Sequence, residues 1–242
     1  HIASRYPYTP TGEWPGARAG ECLEQLTVLG FLAAATSRIK LGTGICLVVK
    51  GGPITLAKEV ASLDWISRGR LLFGIGGGWN AEEMEHHGTV FADRWKVPRE
   101  RIPAMKEIWT KDEAEYHGKH VSFDKMWSYP KPVQKPYPPI LMGGVGPHAR
   151  QRPAESDGHW LPLATREPIA DGIADLRARA EKAGRDPATV TVSLFGARPD
   201  EARLAALREA GVAGAIFALP PAGPHTVLPP VDQYASLIRK LG

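Results

Sequence analysis

Two glycine-rich stretches decide the fold, Lys40-Leu-Gly-Thr-Gly-Ile45 and Arg70-Leu-Leu-Phe-Gly-Ile-Gly-Gly-Gly-Trp-Asn80. Each begins as a short β-forming run and ends in glycines, and a segment of helical periodicity separates the two. A third stretch, Ile140-Leu-Met-Gly-Gly-Val-Gly-Pro147, repeats the pattern. Such runs are typical of parallel strands whose carboxyl ends let a ligand approach the backbone. Glycine suits that place because it has no Cβ and tolerates positive φ.

Predicted strands and helices alternate along the chain. The predicted strands are 39–47, 71–76, 140–143, 158–161, 190–195 and 214–219. The predicted helices include a buried one over 21–36, one that opens at Pro53, and others over 101–109, 169–180, 199–210 and 231–241. A hairpin over 114–123 interrupts the alternation, and residues 1–20 predict an irregular loop. The alternation indicates a parallel sheet with both faces covered.

The predicted fold class is α/β, a (β/α)8 TIM barrel formed by residues 1–242 as a single domain. Such a barrel needs about 250 residues, and the pattern supplies six strands, so we expect the first two strands and a helix to precede His1. An open doubly wound sheet is the rival. It is disfavoured because no acidic residue closes a second strand about 20 residues after Gly74-Ile-Gly76.

Composition excludes several classes of protein. The net charge is +4 and the pI near 9.1, but Lys and Arg are scattered, so no nucleic acid is expected as a partner. No apolar run approaches the roughly 20 residues that span a bilayer. The two cysteines, Cys22 and Cys46, cannot form a disulfide framework and are interpreted as small buried residues. The expected compartment is therefore the cytoplasm. No metal site is predicted, because His86 and His87 have no carboxylate at ligand spacing.

Several motifs together resemble the luciferase-like monooxygenase superfamily. They are Leu41-Gly-Thr-Gly44, Leu56-Ala-Lys-Glu-Val-Ala-Ser-Leu-Asp64, Gly69-Arg-Leu-Leu-Phe-Gly-Ile-Gly76, Trp79-Asn-Ala-Glu-Glu83, Met105-Lys-Glu-Ile-Trp109, Tyr116-His-Gly118, Lys131-Pro-Val-Gln134 and Gly143-Gly-x-Gly-Pro147. The resemblance runs from about residue 37 to residue 162, and it rests on the order and spacing of the motifs. The amino-acid sequences of these motifs are most similar to those of oxidoreductases that use the deazaflavin coenzyme F420. Relatives that bind FMN are the near alternative.

The resemblance implies a bound cofactor at the carboxyl ends of the strands and a protein that orients it. The function it implies is hydride transfer between coenzyme F420 and a small organic substrate. One alternative is an FMN-dependent monooxygenase that uses O2 and a reductase partner. Another is a non-catalytic or truncated paralogue that only binds the cofactor. A homodimer is compatible with the sequence, which does not determine the oligomeric state.

The resemblance assigns two cofactor-binding segments to the first two glycine-rich stretches. Thr43, Gly44 and Ile45 match a bulge, often with a cis non-proline peptide, that presses on the central ring. The alternative there is an ordinary strand glycine. Gly76, Gly77 and Gly78 are interpreted as backbone that the cofactor approaches, with a flexible turn as the alternative. Trp79 either walls the ring or caps the core.

The third stretch predicts a phosphate site. Gly143, Gly144, Val145 and Gly146 precede Pro147, and successive N–H groups at the start of a helix form an anion-binding nest. The alternative is a plain loop.

The catalytic residue stays unknown. Some deazaflavin enzymes carry an acidic proton donor near the position of Trp79. This chain has Trp79 there instead, so Trp79 and Glu82 are only weak candidates, and Glu82 is better explained as a first-turn helix residue favoured by the helix dipole.

Overall fold

The structure is a computed structural model that describes residues 23–156, 158–164 and 168–241. It divides into two compact units, His1–Pro139 and Ile140–Gly242. The predicted loop over 1–20 and Cys22 lie outside the described residues.

The first unit alternates helices with short parallel strands and then adds an antiparallel hairpin. Its helices are α1 (Gln25–Ala35), α2 (Pro53–Ile66), α3 (Ala81–His86) and α4 (Val97–Thr110), and its strands are β1 (Leu41–Gly42), β2 (Cys46–Leu47), β3 (Leu71–Gly76), β4 (Ala114–His117) and β5 (Ser122–Met126). Both β1 and β2 pair with β3 in parallel, and β4 pairs with β5 antiparallel. The predicted parallel pairing and the predicted hairpin are both confirmed.

The strand predicted over 39–47 is interrupted by a bulge. Gly42 pairs with Leu72, whereas Cys46 pairs with Ile75. Between these two pairs the chain advances four residues from Gly42 to Cys46 but only three along β3, from Leu72 to Ile75. The β1–β2 side therefore contains one extra residue, which is a β-bulge. The bulge that the family resemblance implies at Thr43–Ile45 is therefore present, and it divides the strand predicted over 39–47 into β1 and β2.

Arg70 fastens α1 to the start of β3. Its side chain is almost fully buried, and Nη2 donates to the carbonyls of Ala33 and Thr36 at 2.8 and 2.9 Å. Nη1 reaches Ile39 O at 2.9 Å, and Nε reaches Ser67 O at 2.8 Å. The guanidinium thus satisfies carbonyls at the carboxyl end of α1 that have no partner inside the helix.

Asp64 and Gln134 join α2 to the proline-rich segment after the hairpin. The Asp64 carboxylate, which is fully buried, accepts from Gln134 N at 2.9 Å and from Gln134 Nε2 at 2.7 Å. Gln134 Nε2 also donates to Leu71 O. A buried carboxylate is tolerated here because it accepts hydrogen bonds on both oxygens.

The second unit is a parallel sheet in chain order with helices between its strands. Its strands are β6 (Ile140–Gly143), β7 (His159–Leu161), β8 (Thr191–Phe195) and β9 (Gly214–Ile216), and its helices are α5 (Pro147–Glu155), α6 (Ile169–Lys182), α7 (Glu201–Glu209) and α8 (Pro224–Leu241). Neighbouring strands pair in parallel from β6 to β9. Trp160, Leu176 and Val192 belong to its buried core.

Three further differences from the sequence predictions have local reasons. The last helix begins at Pro224 rather than at 231 and contains Pro229 and Pro230, whereas proline usually interrupts a helix and so placed the predicted start after them. The last strand ends at Ile216 instead of residue 219. The helix predicted as buried is α1, yet Phe31 is 74% exposed, since uniform apolarity does not show which face is covered.

Among the described residues, no helix has the length and apolarity needed to cross a membrane.

The role of Arg70 predicts a large difference between two arginine-to-lysine substitutions. Arg70→Lys should lower the free energy of unfolding by about 3 kcal/mol, because a lysine ammonium cannot reach the same set of buried carbonyls. Arg38→Lys, at an exposed arginine close to the same helix end, should change it by less than about 0.5 kcal/mol. Urea unfolding of both variants tests this, and equal stabilities would contradict the assigned role.

Candidate functional site

The bulge between β1 and β2 shapes the first predicted segment. Thr43 is buried, and its hydroxyl donates to Gly74 O at 2.6 Å. The Gly44–Ile45 peptide is cis, as the family resemblance implies. Gly44 is exposed and Ile45 is half-buried. Thr43 therefore fixes the bulge to β3. The backbone of Gly44 and part of the Ile45 side chain lie at the surface of this unit.

The glycines at the carboxyl end of β3 are required by packing within the first unit. A Cβ on Gly76 would lie 1.9 Å from Ile45 Cδ1, and one on Gly77 would lie 2.9 Å from Trp95 Cζ3. Gly78 has a φ of +74°, and a Cβ there would lie 2.8 Å from Met84 Cε. Protein side chains thus occupy the space that three larger residues would need. Contact of this backbone with a cofactor stays a prediction.

Trp79 and Glu82 flank the start of α3. Trp79 is half-buried and directly follows Gly78. Asn80 caps the helix, because its Oδ1 accepts from Glu83 N at 3.0 Å. Glu82 lies half-buried in the first turn, the position that the dipole interpretation expects. The alternatives for both side chains remain open.

Sequence reasoning missed a cluster of aromatic and cationic side chains beside this strand end. The Arg94 guanidinium lies 4.0 Å above the Phe91 ring and 5.7 Å from the Trp95 ring. Trp95 in turn packs against the backbone at Gly77. No local signal marks these residues, because their approach to β3 depends on the tertiary path of the chain after α3.

The third predicted segment lies in the second unit, between β6 and α5. Gly143 ends β6, and both Gly144 (φ +129°) and Gly146 (φ +80°) have backbone conformations that favour glycine. Gly146 is the N-cap of the nine-residue α5, whose first residue is Pro147. In the described part of the chain, no atom beyond the two neighbouring residues would lie within 4 Å of a Cβ on Gly146, and Val145 is exposed. The segment is an open loop at a helix N-terminus, as expected of a phosphate nest.

Neighbouring side chains hold this loop in place. Trp160 Nε1 donates to Gly144 O at 2.9 Å. Arg150 Nε donates to Asp175 Oδ2 at 2.5 Å, and its guanidinium lies 5.5 Å from the Trp160 ring. Hydrogen bonds from Arg179 and then from Arg150 lower the pKa of Asp175. Arg150 is thus paired with α6.

The described part of the chain contains neither a metal-binding cluster nor a reactive cysteine thiol. Among residues 23–156, 158–164 and 168–241, no group of three or more His, Cys, Asp or Glu side chains could hold a metal ion. Cys46 is buried, as expected, and burial, assisted by the negative charges of Glu24 and Glu59, raises the pKa of its thiol to about 11. A thiol with such a pKa is protonated near neutral pH and is a poor nucleophile.

Comparison with known families gives a match over most of the chain. The family model described as luciferase-like monooxygenase matches residues 8–222. An uncharacterized protein of Mycobacterium tuberculosis is 37% identical over 216 residues, which cover 89% of this chain and 76% of that protein.

Two functionally described proteins are similar at lower identity or coverage. The FMNH2-dependent dimethylsulfone monooxygenase of Pseudomonas putida is 31% identical over 167 residues, 66% of this chain and 45% of that protein. The coenzyme F420-dependent tetrahydromethanopterin reductase of Methanopyrus kandleri aligns in structure with a TM-score of 0.64 and 25% identity. That alignment covers 74% of this chain and 57% of the reductase chain, and it confirms the predicted fold class.

The contact between Ile45 and Gly76 predicts that an added methyl group disturbs the bulge. Gly76→Ala should lower the free energy of unfolding by about 1–3 kcal/mol through overpacking. Gly42→Ala is the matched control, because its Cβ would meet Leu72 at an ordinary 3.6 Å. Removing the obstacle in Gly76→Ala/Ile45→Ala should recover about 1 kcal/mol relative to the sum of the single changes. Chemical denaturation of the four proteins measures this coupling, and additive effects would refute the contact.

Proposed function

The chain belongs to the luciferase-like monooxygenase family, and from this premise we propose that it transfers a hydride between coenzyme F420 and a small organic substrate. The F420-dependent reductase with a TM-score of 0.64 supports the choice of cofactor. The sequences of the motifs, which are most similar to those of the F420-dependent branch, support coenzyme F420 independently of the structural similarity.

The observation that carries the proposal is the bulge between β1 and β2. It combines an exposed Gly44 backbone with the Ile45 side chain, which packs over Gly76. A planar ring can pack against such an apolar surface. The hydrogen bond from the Thr43 hydroxyl to Gly74 O fixes the position of the bulge. In this proposal Gly44 and Ile45 orient the ring, and Gly77, Gly78 and Trp79 line its edge.

The glycine loop before α5 fits a phosphate group. Gly144 and Gly146 turn the backbone with positive φ, and the space beside Gly146 is open to a ligand. The helix N-terminus adds partial positive charge without a charged side chain. We assign the cofactor's phosphate to this loop.

The division of labour between cofactor and protein follows from these residues. When bound, the deazaflavin supplies the hydride chemistry. The chain supplies orientation through the bulge, and Trp79, which is half-buried, excludes water from one side. Glu82 is the carboxylate nearest in sequence to the glycines, and it is the first residue to test as a proton carrier.

A second candidate is an FMN-dependent monooxygenase that works with a reductase partner and O2. The similarity to the FMNH2-dependent monooxygenase of Pseudomonas putida favours it. A paralogue that binds a cofactor without turnover is a third possibility, which the missing acidic residue at Trp79 favours.

Titration of the purified chain with each cofactor separates the candidates. We expect coenzyme F420 to bind more tightly than FMN, as measured by cofactor fluorescence. Micromolar binding of FMN without binding of F420 would reverse the order. Binding of F420 with no hydride transfer to any substrate in a panel of small ketones, imines and enones would indicate the paralogue.

The phosphate assignment predicts the effect of a side chain at Gly146. Gly146→Val should weaken cofactor binding by about 2 kcal/mol, roughly thirtyfold, because valine cannot adopt the backbone conformation (φ +80°, ψ 175°). Gly184→Val is the matched control, since Gly184 also has positive φ (+74°) and an open surrounding. Both variants should lose some stability, but only Gly146→Val should lose affinity. Normal cofactor binding by Gly146→Val would show that the assignment is wrong.

A further inference from the structure

An open groove of about 700 Å³ lies in the first unit at the amino end of β3, opposite the glycines of the candidate site. Its walls come from the end of α2 and the turn that follows, and from the segment after β5. The residues that line the groove are Trp65, Arg68, Tyr129, Pro130, Lys131, Pro132, Val133 and Lys135. None of the motifs assigned to the cofactor reaches it.

Two aromatic rings in the groove are fixed by hydrogen bonds at their edges, and one face of the Tyr129 ring is covered by the Lys131 ammonium, 4.8 Å from the ring centroid. Trp65 Nε1 donates to Lys131 O at 2.7 Å, and Tyr129 Oη donates to Asp112 Oδ1 at 2.9 Å. Even so, Trp65 is 55% exposed and Tyr129 is 51% exposed. Exposed aromatic residues that are fixed in place cost little conformational entropy when a partner binds.

Among the described residues, the charged side chains that line the groove are all positive. Among the described residues no carboxylate lines it, and Asp112 beneath Tyr129 is already bonded to the phenol. The Lys131 ammonium donates to backbone carbonyls, including Ile108 O at 2.8 Å. The side chains of Arg68 and Lys135 have no hydrogen bond or ion pair with any described residue. Burial, with the nearby positive charge of Lys135, lowers the pKa of Lys131 despite the opposing effect of Asp112.

We propose that this groove docks an extended acidic peptide segment of a partner protein. The groove is open along its length, which suits an extended chain better than a small molecule that must be enclosed. The exposed parts of the Trp65 and Tyr129 rings would pack on proline or aliphatic side chains, as aromatic-lined grooves do with extended proline-rich peptides. Arg68 and Lys135 would pair with carboxylates of the peptide. Two unpaired cations are few for a nucleic-acid backbone, which binds through many phosphate contacts.

The test uses the full chain and three labelled probes of similar length. The first probe is a peptide of alternating glutamate, proline and leucine, the second has lysine in place of glutamate, and the third is a single-stranded oligothymidine. Fluorescence anisotropy should show binding of the glutamate peptide that weakens with added salt, and much weaker binding of the other two. Tighter binding of the lysine peptide or of the oligonucleotide would overturn the proposal, and so would the absence of binding.

Substitutions then locate the binding surface. Lys135→Glu and Arg68→Glu should each weaken the glutamate peptide about tenfold, and Trp65→Ala should weaken it by a similar factor. Lys182→Glu reverses an exposed lysine in the last turn of α6 and should leave the affinity unchanged. Unchanged thermal unfolding of the two charge variants shows that they are folded. Full peptide affinity in both charge variants would exclude the groove as the docking site.

Discussion

The buried guanidinium of Arg70 is the interaction on which the geometry of the first unit depends. It holds the carboxyl end of α1 through Ala33 O and Thr36 O, while its own carbonyl accepts from Leu41 N at 2.9 Å. The side chain therefore positions the helix, and the backbone of the same residue begins the pairing of β1 with β3. Because the register starts there, the extra residue of the bulge has to be accommodated farther along. The bulge brings Ile45 over Gly76 as a consequence.

The motifs that support the family resemblance divide into two groups with different physical roles. Those at the amino end of β3, such as Asp64, Arg70 and Gln134, form buried hydrogen bonds that join helices and segments. Those at the carboxyl ends of the strands are glycines with positive φ or with no room for a side chain. A buried polar residue without its partners would be costly, and a Cβ in the second group would collide or strain the backbone. Either cost explains why the residue types are restricted.

The glycines at residues 76–78 show that one residue type can satisfy two demands. Packing of Ile45, Trp95 and Met84 already excludes a Cβ at these positions. Access of a cofactor to the backbone would exclude it as well. The presence of glycine alone therefore does not distinguish packing from binding, and only a measurement of cofactor affinity separates them. Gly146 differs, since among the described residues no atom other than those of its chain neighbours would lie within 4 Å of a Cβ there.

The sequence by itself determined the alternation of strands and helices, the hairpin and the glycine-rich strand ends, because these follow from local periodicity and from the conformational freedom of glycine. The family resemblance added the bulge at Gly44–Ile45, whereas the glycines before Pro147 by themselves predicted the loop at Gly144–Gly146. Only the tertiary structure decided the register in which β1 and β2 pair with β3 on either side of the bulge, that Trp95 packs on Gly77, and that Arg150 pairs with Asp175. These contacts join residues distant in the chain, and their partners are selected by the shape of the packed elements, which no local pattern encodes.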